Sequence, residues 1–96
     1  MAEEGLRVGQ LVRSKAGRDA GLYFLIVGIK DSRFVAVADG KVRRVSHPKL
    51  KNVRHLEIYP VRMESADARF AAPSVVTDRA IAEAIRELLA GLGQPT

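Results

Sequence analysis

The run Leu22-Tyr23-Phe24-Leu25-Ile26-Val27-Gly28-Ile29 constrains this chain most, because it is apolar at odd and even positions alike. Successive side chains of a strand point to opposite faces of a sheet. A strand of this composition is therefore expected to lie centrally and to be covered on both sides. It is far shorter than the roughly 18 to 20 apolar residues of a membrane helix, and no other run in the chain approaches that length. With 96 residues, two independent cores would be hard to stabilise. The expectation is one small domain built around this strand, with an appendage.

Turn signals flank the central run at close intervals, the pattern of a small all-β barrel or sandwich. Before it, Leu6 to Lys15 reads as a first strand, with Leu6, Val8 and Val12 on one face and Arg13 on the other. Ala16-Gly17-Arg18-Asp19-Ala20-Gly21 then breaks the pattern as a tight loop, its glycines and Asp19 suited to turn geometry. After it, Lys30-Asp31-Ser32-Arg33 supplies a turn into Phe34-Val35-Ala36-Val37-Ala38, which is expected to pair with the central strand. Asp39-Gly40 is the strongest hairpin signal in the chain, and it predicts a returning strand over Lys41-Val42-Arg43-Arg44-Val45. In such a strand one of Arg43 and Arg44 points inward, and the spacing of Val42 and Val45 calls for a bulge. Ser46 to Asn52 reads as a polar, basic connection, and Val53 to Tyr59 as the last strand, ended by Pro60.

Beyond Pro60 no period is sustained, and residues 61–76 read as a linker. Residues 77–92 read as an amphipathic helix capped by Thr77 or Asp78, with Ile81, Ile85, Leu88, Leu89 and Leu92 on one stripe. Gly91, Gly93 and Pro95 supply stop signals in the expected order. The stripe is expected either to dock on the strands or to engage a second copy or another protein, since an isolated helix of this length is marginal in water. The fold class is mainly β: a five-stranded barrel over residues 6–60, with an appended C-terminal helix.

The charge is unevenly divided. Residues 1–56 hold twelve Lys and Arg against five Asp and Glu, and residues 57–96 hold four against six, so net +7 and −2 make the overall +5. A basic domain of this kind carries the electrostatic footprint of a polyanion binder, most often of nucleic acid. The absence of cysteine excludes a disulfide framework, a thiolate zinc site and a cysteine nucleophile, and His47 and His55 alone do not make a metal cage. No cofactor and no enzyme activity are expected. Asp19, Asp31 and Asp39 sit at turns that explain them, no serine joins a histidine in a recognisable motif, and the glycine loop lacks the Lys-Ser/Thr ending of a P-loop. Met1 to Gly9 lacks the apolar stretch of a signal peptide, so the expected location is cytoplasmic.

Val8 to about Leu56 resembles the KOW-domain proteins, in particular the eukaryotic-type large-subunit ribosomal proteins and their small bacterial relatives. The residues that carry the resemblance are Gly9-Gln10-Leu11-Val12-Arg13-Ser14-Lys15-Ala16-Gly17-Arg18-Asp19-Ala20-Gly21, the apolar run to Ile29, and Val37-Ala38-Asp39-Gly40 followed by Lys41-Val42-Arg43-Arg44-Val45. The resemblance implies an SH3-like barrel and RNA binding, usually within ribosomes or other ribonucleoproteins. It does not extend to residues 61–96.

The residues expected to meet RNA are Arg13, Lys15 and Arg18 around the first loop, Lys41, Arg43 and Arg44 on the hairpin, and Lys49, Lys51 and Arg54 beyond it. Guanidinium groups suit phosphate oxygens, and Gly17 and Gly21 would let backbone N–H groups approach closely. Exposed aromatics for base stacking are scarce: Tyr23, Phe24 and Phe34 lie among apolar neighbours, leaving Tyr59 and Phe70 freer. Recognition of folded RNA by shape and phosphate is therefore expected over base-by-base reading. His55 beside Arg54 reads as a partly exposed strand residue or a phosphate donor. The alternatives are a protein-interaction module whose basic rim meets an acidic partner while the helix dimerises, and a duplex-DNA binder.

Overall fold

A computed structural model describes residues 6–72 and 76–93. Five antiparallel strands, β1 (Gln10–Ser14), β2 (Tyr23–Ile29), β3 (Phe34–Ala38), β4 (Lys49–Asn52) and β5 (Leu56–Arg62), form one sheet in the order β4-β3-β2-β1-β5. The edges β4 and β5 do not pair with each other in this sheet. Two helices follow, α1 (Ala66–Ala71) and α2 (Asp78–Gly91). The central position expected for the apolar run holds: β2 lies between β1 and β3.

Both faces of β2 are covered, by different means. Leu11 opposite Leu25 faces the helix, in a cluster with Met63, Ile81, Ile85 and Leu89. Val12 opposite Phe24 faces the other way, in a cluster with Ile26, Val35, Val37 and Leu56. Here the strand side chains bury one another, and Leu6 and Val53 pack at the margin. Each fully buried aliphatic or aromatic side chain contributes about 1.5 to 3 kcal/mol.

The helix forms where its sequence says it should. The Thr77 hydroxyl accepts from the Ala80 N–H at 3.0 Å, which caps the first turn, and Gly93 follows the last turn with φ 76°. Gly91 lies within α2 instead of ending it, and Pro95 lies outside the described residues. Ile81, Ile85 and Leu89 are buried and Leu88 and Leu92 half-buried against the same cluster, so the stripe docks on the sheet.

Elsewhere the structure corrects the expected elements. The first strand begins only at Gln10, because Gly9 turns the chain with φ 81°. Lys41 to Val45 forms no strand: the Asp39 carboxylate accepts from the N–H groups of Lys41 and Arg43 and holds the segment as a loop. Arg43 and Arg44 are accordingly both exposed, and neither points inward. Gly40 has the positive φ that its hairpin signal suggests, 79°, but a Cβ there would collide with the Asp78 carbonyl of α2, so the glycine serves a loop-to-helix contact. Lys49–Asn52, expected as a connection, is strand β4. A 3-10 turn at Val53–His55 leads directly into β5, which continues past Pro60 to Arg62. Pro60 is tolerated because β5 is an edge strand and because its register against β1 shifts between Gln10 and Val12. The expected linker contains the end of β5 and α1, while residues 73–75 lie outside the described residues. No helix among the described residues is long and apolar enough to cross a membrane.

Candidate nucleic-acid interface

The loop 15–22 is the hub of the basic surface. At one side, the Lys15 N–H donates to the His55 carbonyl at 2.8 Å, joining the loop to the 3-10 turn that carries Arg54. At another, Asp19 reaches β4, 3.0 Å from both Lys49 Nζ and Lys51 Nζ. At its end, Leu22 shares a groove wall with Asp39 and Lys41 of the 39–48 loop. The loop that carries Lys15 and Arg18 is thus joined to the 3-10 turn and to β4, and shares a groove with Lys41 of the 39–48 loop.

Their cations divide into two kinds. Lys15, Arg18, Lys41, Arg43, Arg44 and Arg54 are exposed. Only Arg44 among them has a carboxylate within reach in the described residues, Asp78 at 3.9 Å, and its side chain stays 71% exposed. Lys49 and Lys51, in contrast, belong to the interior. They stand opposite Val37 and Val35 in the β3–β4 ladder, so their stems lie on the face of the enclosed core. Lys51 is 7% exposed and binds both Asp19 and the Ala16 carbonyl, the latter at 3.2 Å. Its ammonium is therefore occupied, and Lys51 does not line an open phosphate surface. Lys49, at 31% side-chain exposure, keeps a part of its surface.

Asp19 is more than the turn residue its position suggests. It is buried, and it accepts from the Ser14 hydroxyl at 2.7 Å as well as from the two lysines. Burial pushes its pKa up, but the Ser14 hydrogen bond and then the ammonium groups of Lys51 and Lys49 outweigh that and hold the carboxyl well below its ordinary value of 3.8. The cluster closes one end of the enclosed core with every charge partnered, as burial requires. The sequence signal for it was present: two lysines two apart on a strand share a face and need a counter-charge if that face is buried.

Arg13 is partly engaged. It stands between Tyr23 of β2 and Glu57 of β5 in register, with its guanidinium 6.0 Å from the Tyr23 ring centroid and 3.6 Å from the Glu57 carboxylate. Tyr59 packs 6.0 Å from Tyr23 and donates its hydroxyl to Glu57 at 3.0 Å. Burial, the Glu57 contact and the neighbouring Tyr23 push the Tyr59 hydroxyl up to about 12. Tyr59 and Phe70 are thus half-buried against the helix-side cluster and are not free stacking platforms, and Phe24 is wholly buried.

The glycines contribute by turning the chain. The Gly21 N–H donates to the Ser14 carbonyl at 2.8 Å, so it is not directed at a ligand, and the Gly17 carbonyl accepts from Ala20. Both have positive φ, 85° at Gly17 and 92° at Gly21. The exposed cations outside the sequence reading include Arg33, whose carbonyl accepts from the Val53 N–H at 2.8 Å, which sets it beside the 3-10 turn. His55 is half-buried. Comparison with protein-family models gives no match, and comparison with curated proteins gives no significant relative.

Proposed function

We propose that this chain is a non-catalytic, KOW-type RNA-binding module that grips structured RNA, with ribosomal RNA as the leading ligand. The observation that carries the reading is the separation of its charges. Exposed cations lie on the loop 15–22, the 39–48 loop and the 3-10 turn, while the Asp19 carboxylate is buried against Lys49 and Lys51 and the exposed Glu57 is paired with Arg13. A surface whose nearby carboxylates are already paired presents a positive potential to phosphate. The interface on this reading comprises Lys15, Arg18, Arg33, Lys41, Arg43, Arg44 and Arg54, with Lys49 at its margin and Arg13 partly engaged. Phe24 is buried and Tyr23, Tyr59 and Phe70 pack on the helix-side cluster, which leaves the half-buried Phe34, with Lys30 5.9 Å from its ring centroid, as the one ring outside both core clusters. So small an aromatic supply favours recognition by shape and backbone over base stacking. An SH3-like barrel is the fold expected with it. The short 3-10 turn that joins edge β4 directly to edge β5, together with the self-enclosed core, supports that description.

Fluorescence anisotropy tests the reading, with a structured ribosomal RNA fragment, a single-stranded RNA and a DNA duplex, each across a salt series. Folded RNA should bind most tightly at every salt concentration. Contact with about five phosphates gives a log–log salt slope of roughly −3.5 to −4.5. Arg18→Glu, Arg43→Glu and Arg44→Glu together should abolish binding while thermal unfolding stays unchanged. Retained affinity in the folded triple variant, or tighter binding of the DNA duplex, would overturn the proposal.

A further inference from the structure

A groove of about 660 Å³ lies between α2 and the surface formed by Leu22, Tyr23 and the 39–48 loop. On the helix it is bordered from Arg79 to Leu89, which at 1.5 Å per residue is a wall about 15 Å long. That length suits a short extended peptide, and the volume falls within the range of ordinary ligand sites. The apolar part is aliphatic: Leu22 is 41% exposed, and Ile85 and Leu89 border the space from the helix.

The rim is cationic in effect. Lys41, Arg79 and Arg86 outnumber its two carboxylates: Asp39 accepts from the backbone N–H groups of Lys41 and Arg43 at 3.0 and 2.8 Å, and Glu83 is paired with the Arg79 guanidinium at 3.1 Å. Lys41 and Arg86 are exposed and form no ion pair with any described carboxylate. An aliphatic floor under two available cations is complementary to an aliphatic side chain flanked by carboxylates. A nucleobase fits less well, because the only aromatic ring bordering the groove, Tyr23, is already engaged by Arg13 and Tyr59.

We propose that this groove docks an acidic peptide segment of a partner protein, with an aliphatic anchor between Leu22 and α2 and flanking carboxylates on Lys41 and Arg86. The groove shares Lys41 with the proposed RNA surface, but Arg86 and Ala82 of α2 take no part in that surface and separate the two readings.

The test is anisotropy of a short labelled peptide of alternating Glu and Leu against the full chain, with two control peptides, one with Lys for Glu and one with Ser for Leu. The Glu–Leu peptide should bind and both controls should bind at least about tenfold more weakly, the effect of losing one close charge pair or one anchor. Arg86→Glu, which removes an exposed cation, and Ala82→Gln, which fills the groove with a good helix former, should each weaken the peptide about tenfold and leave thermal unfolding and RNA affinity unchanged. Equal binding of all three peptides, or undiminished binding to both variants, would overturn the proposal. So would loss of peptide binding in the Arg18, Arg43 and Arg44 triple variant with retention in Arg86→Glu, since the peptide would then be mimicking RNA. A wild-type dimer that Arg86→Glu makes monomeric, without peptide binding, would assign the groove to a second copy and also overturn it.

Discussion

The two faces of the sheet are sealed by opposite chemistry. The helix-side face is closed by an aliphatic stripe, Ile81, Ile85 and Leu89, supplied by a capped helix late in the chain. The enclosed face is closed at one end by a buried carboxylate with two lysines and a serine. A stripe depends on area and tolerates small changes in proportion to the methylene groups lost. A buried ion cluster depends on its shared counter-charge, since removing the carboxylate leaves two ammonium groups without a partner, whereas removing one lysine leaves the carboxylate the other. The molecule therefore has one graded seal and one unit held by a single carboxylate, and the second also sets which lysines remain available to a polyanion.

The largest expected effect tests the unit. Asp19→Asn leaves Lys49 and the nearly buried Lys51 without their counter-charge and should cost about 3 to 5 kcal/mol, read as a lower urea midpoint. Lys51→Met should cost much less, because Asp19 keeps Lys49 and Ser14 and the methionine refills the apolar space. Comparable losses in the two variants would mean that the site behaves as ordinary packing. Acid should act in the same direction as Asp19→Asn. The folded-state pKa of Asp19 is depressed, so its contribution is fully present above the ordinary value of 3.8 and is lost as pH falls below it towards the folded-state value. Urea midpoints measured from pH 6 downward should fall in that window for the wild type, with a shallower fall for the Asp19→Asn variant.

On the graded side, Ile81→Ala removes a side chain with no exposed surface and should cost about 3 kcal/mol, within the usual range for such truncations. Its loss should add to that of Asp19→Asn in the double variant, as for sites with no shared partner. Strong coupling between them would show that the two faces act as one core. Thr77→Ala is the smallest expected change, about 1 kcal/mol, from loss of the hydroxyl that caps α2. An effect near that of Ile81→Ala would place most of the helix's stability in its cap and not in its stripe.

Much of this architecture was legible in the sequence because it rests on local rules. β3 matches Phe34–Ala38, β2 differs from the apolar run by one residue, and α2 follows its cap and stripe. β4 was illegible because its pattern is inverted: Lys49 and Lys51 face the core, while Leu50 is 49% exposed. Such a strand violates the usual alternation unless a distant group compensates the charge, and Asp19 is thirty-two positions from Lys51. The Asp39-Gly40 signal misled for a related reason. The Asp39 carboxylate and the Asp78 carboxylate, which accepts from the Val45 N–H at 2.7 Å, hold the backbone groups that a returning strand would have paired.

The candidate site divides along the same line. The composition and its bias towards the first part of the chain were enough to nominate Arg18, Arg43, Arg44 and Arg54, which the structure leaves exposed. Only the tertiary structure separated those from Lys51, and only it brought Arg33 to the 3-10 turn and opened a groove beside α2. Charge count and strand period are properties of neighbours in sequence. Which charges remain available to a partner depends on which ones the fold has already neutralised, and that is decided by residues far apart in the chain.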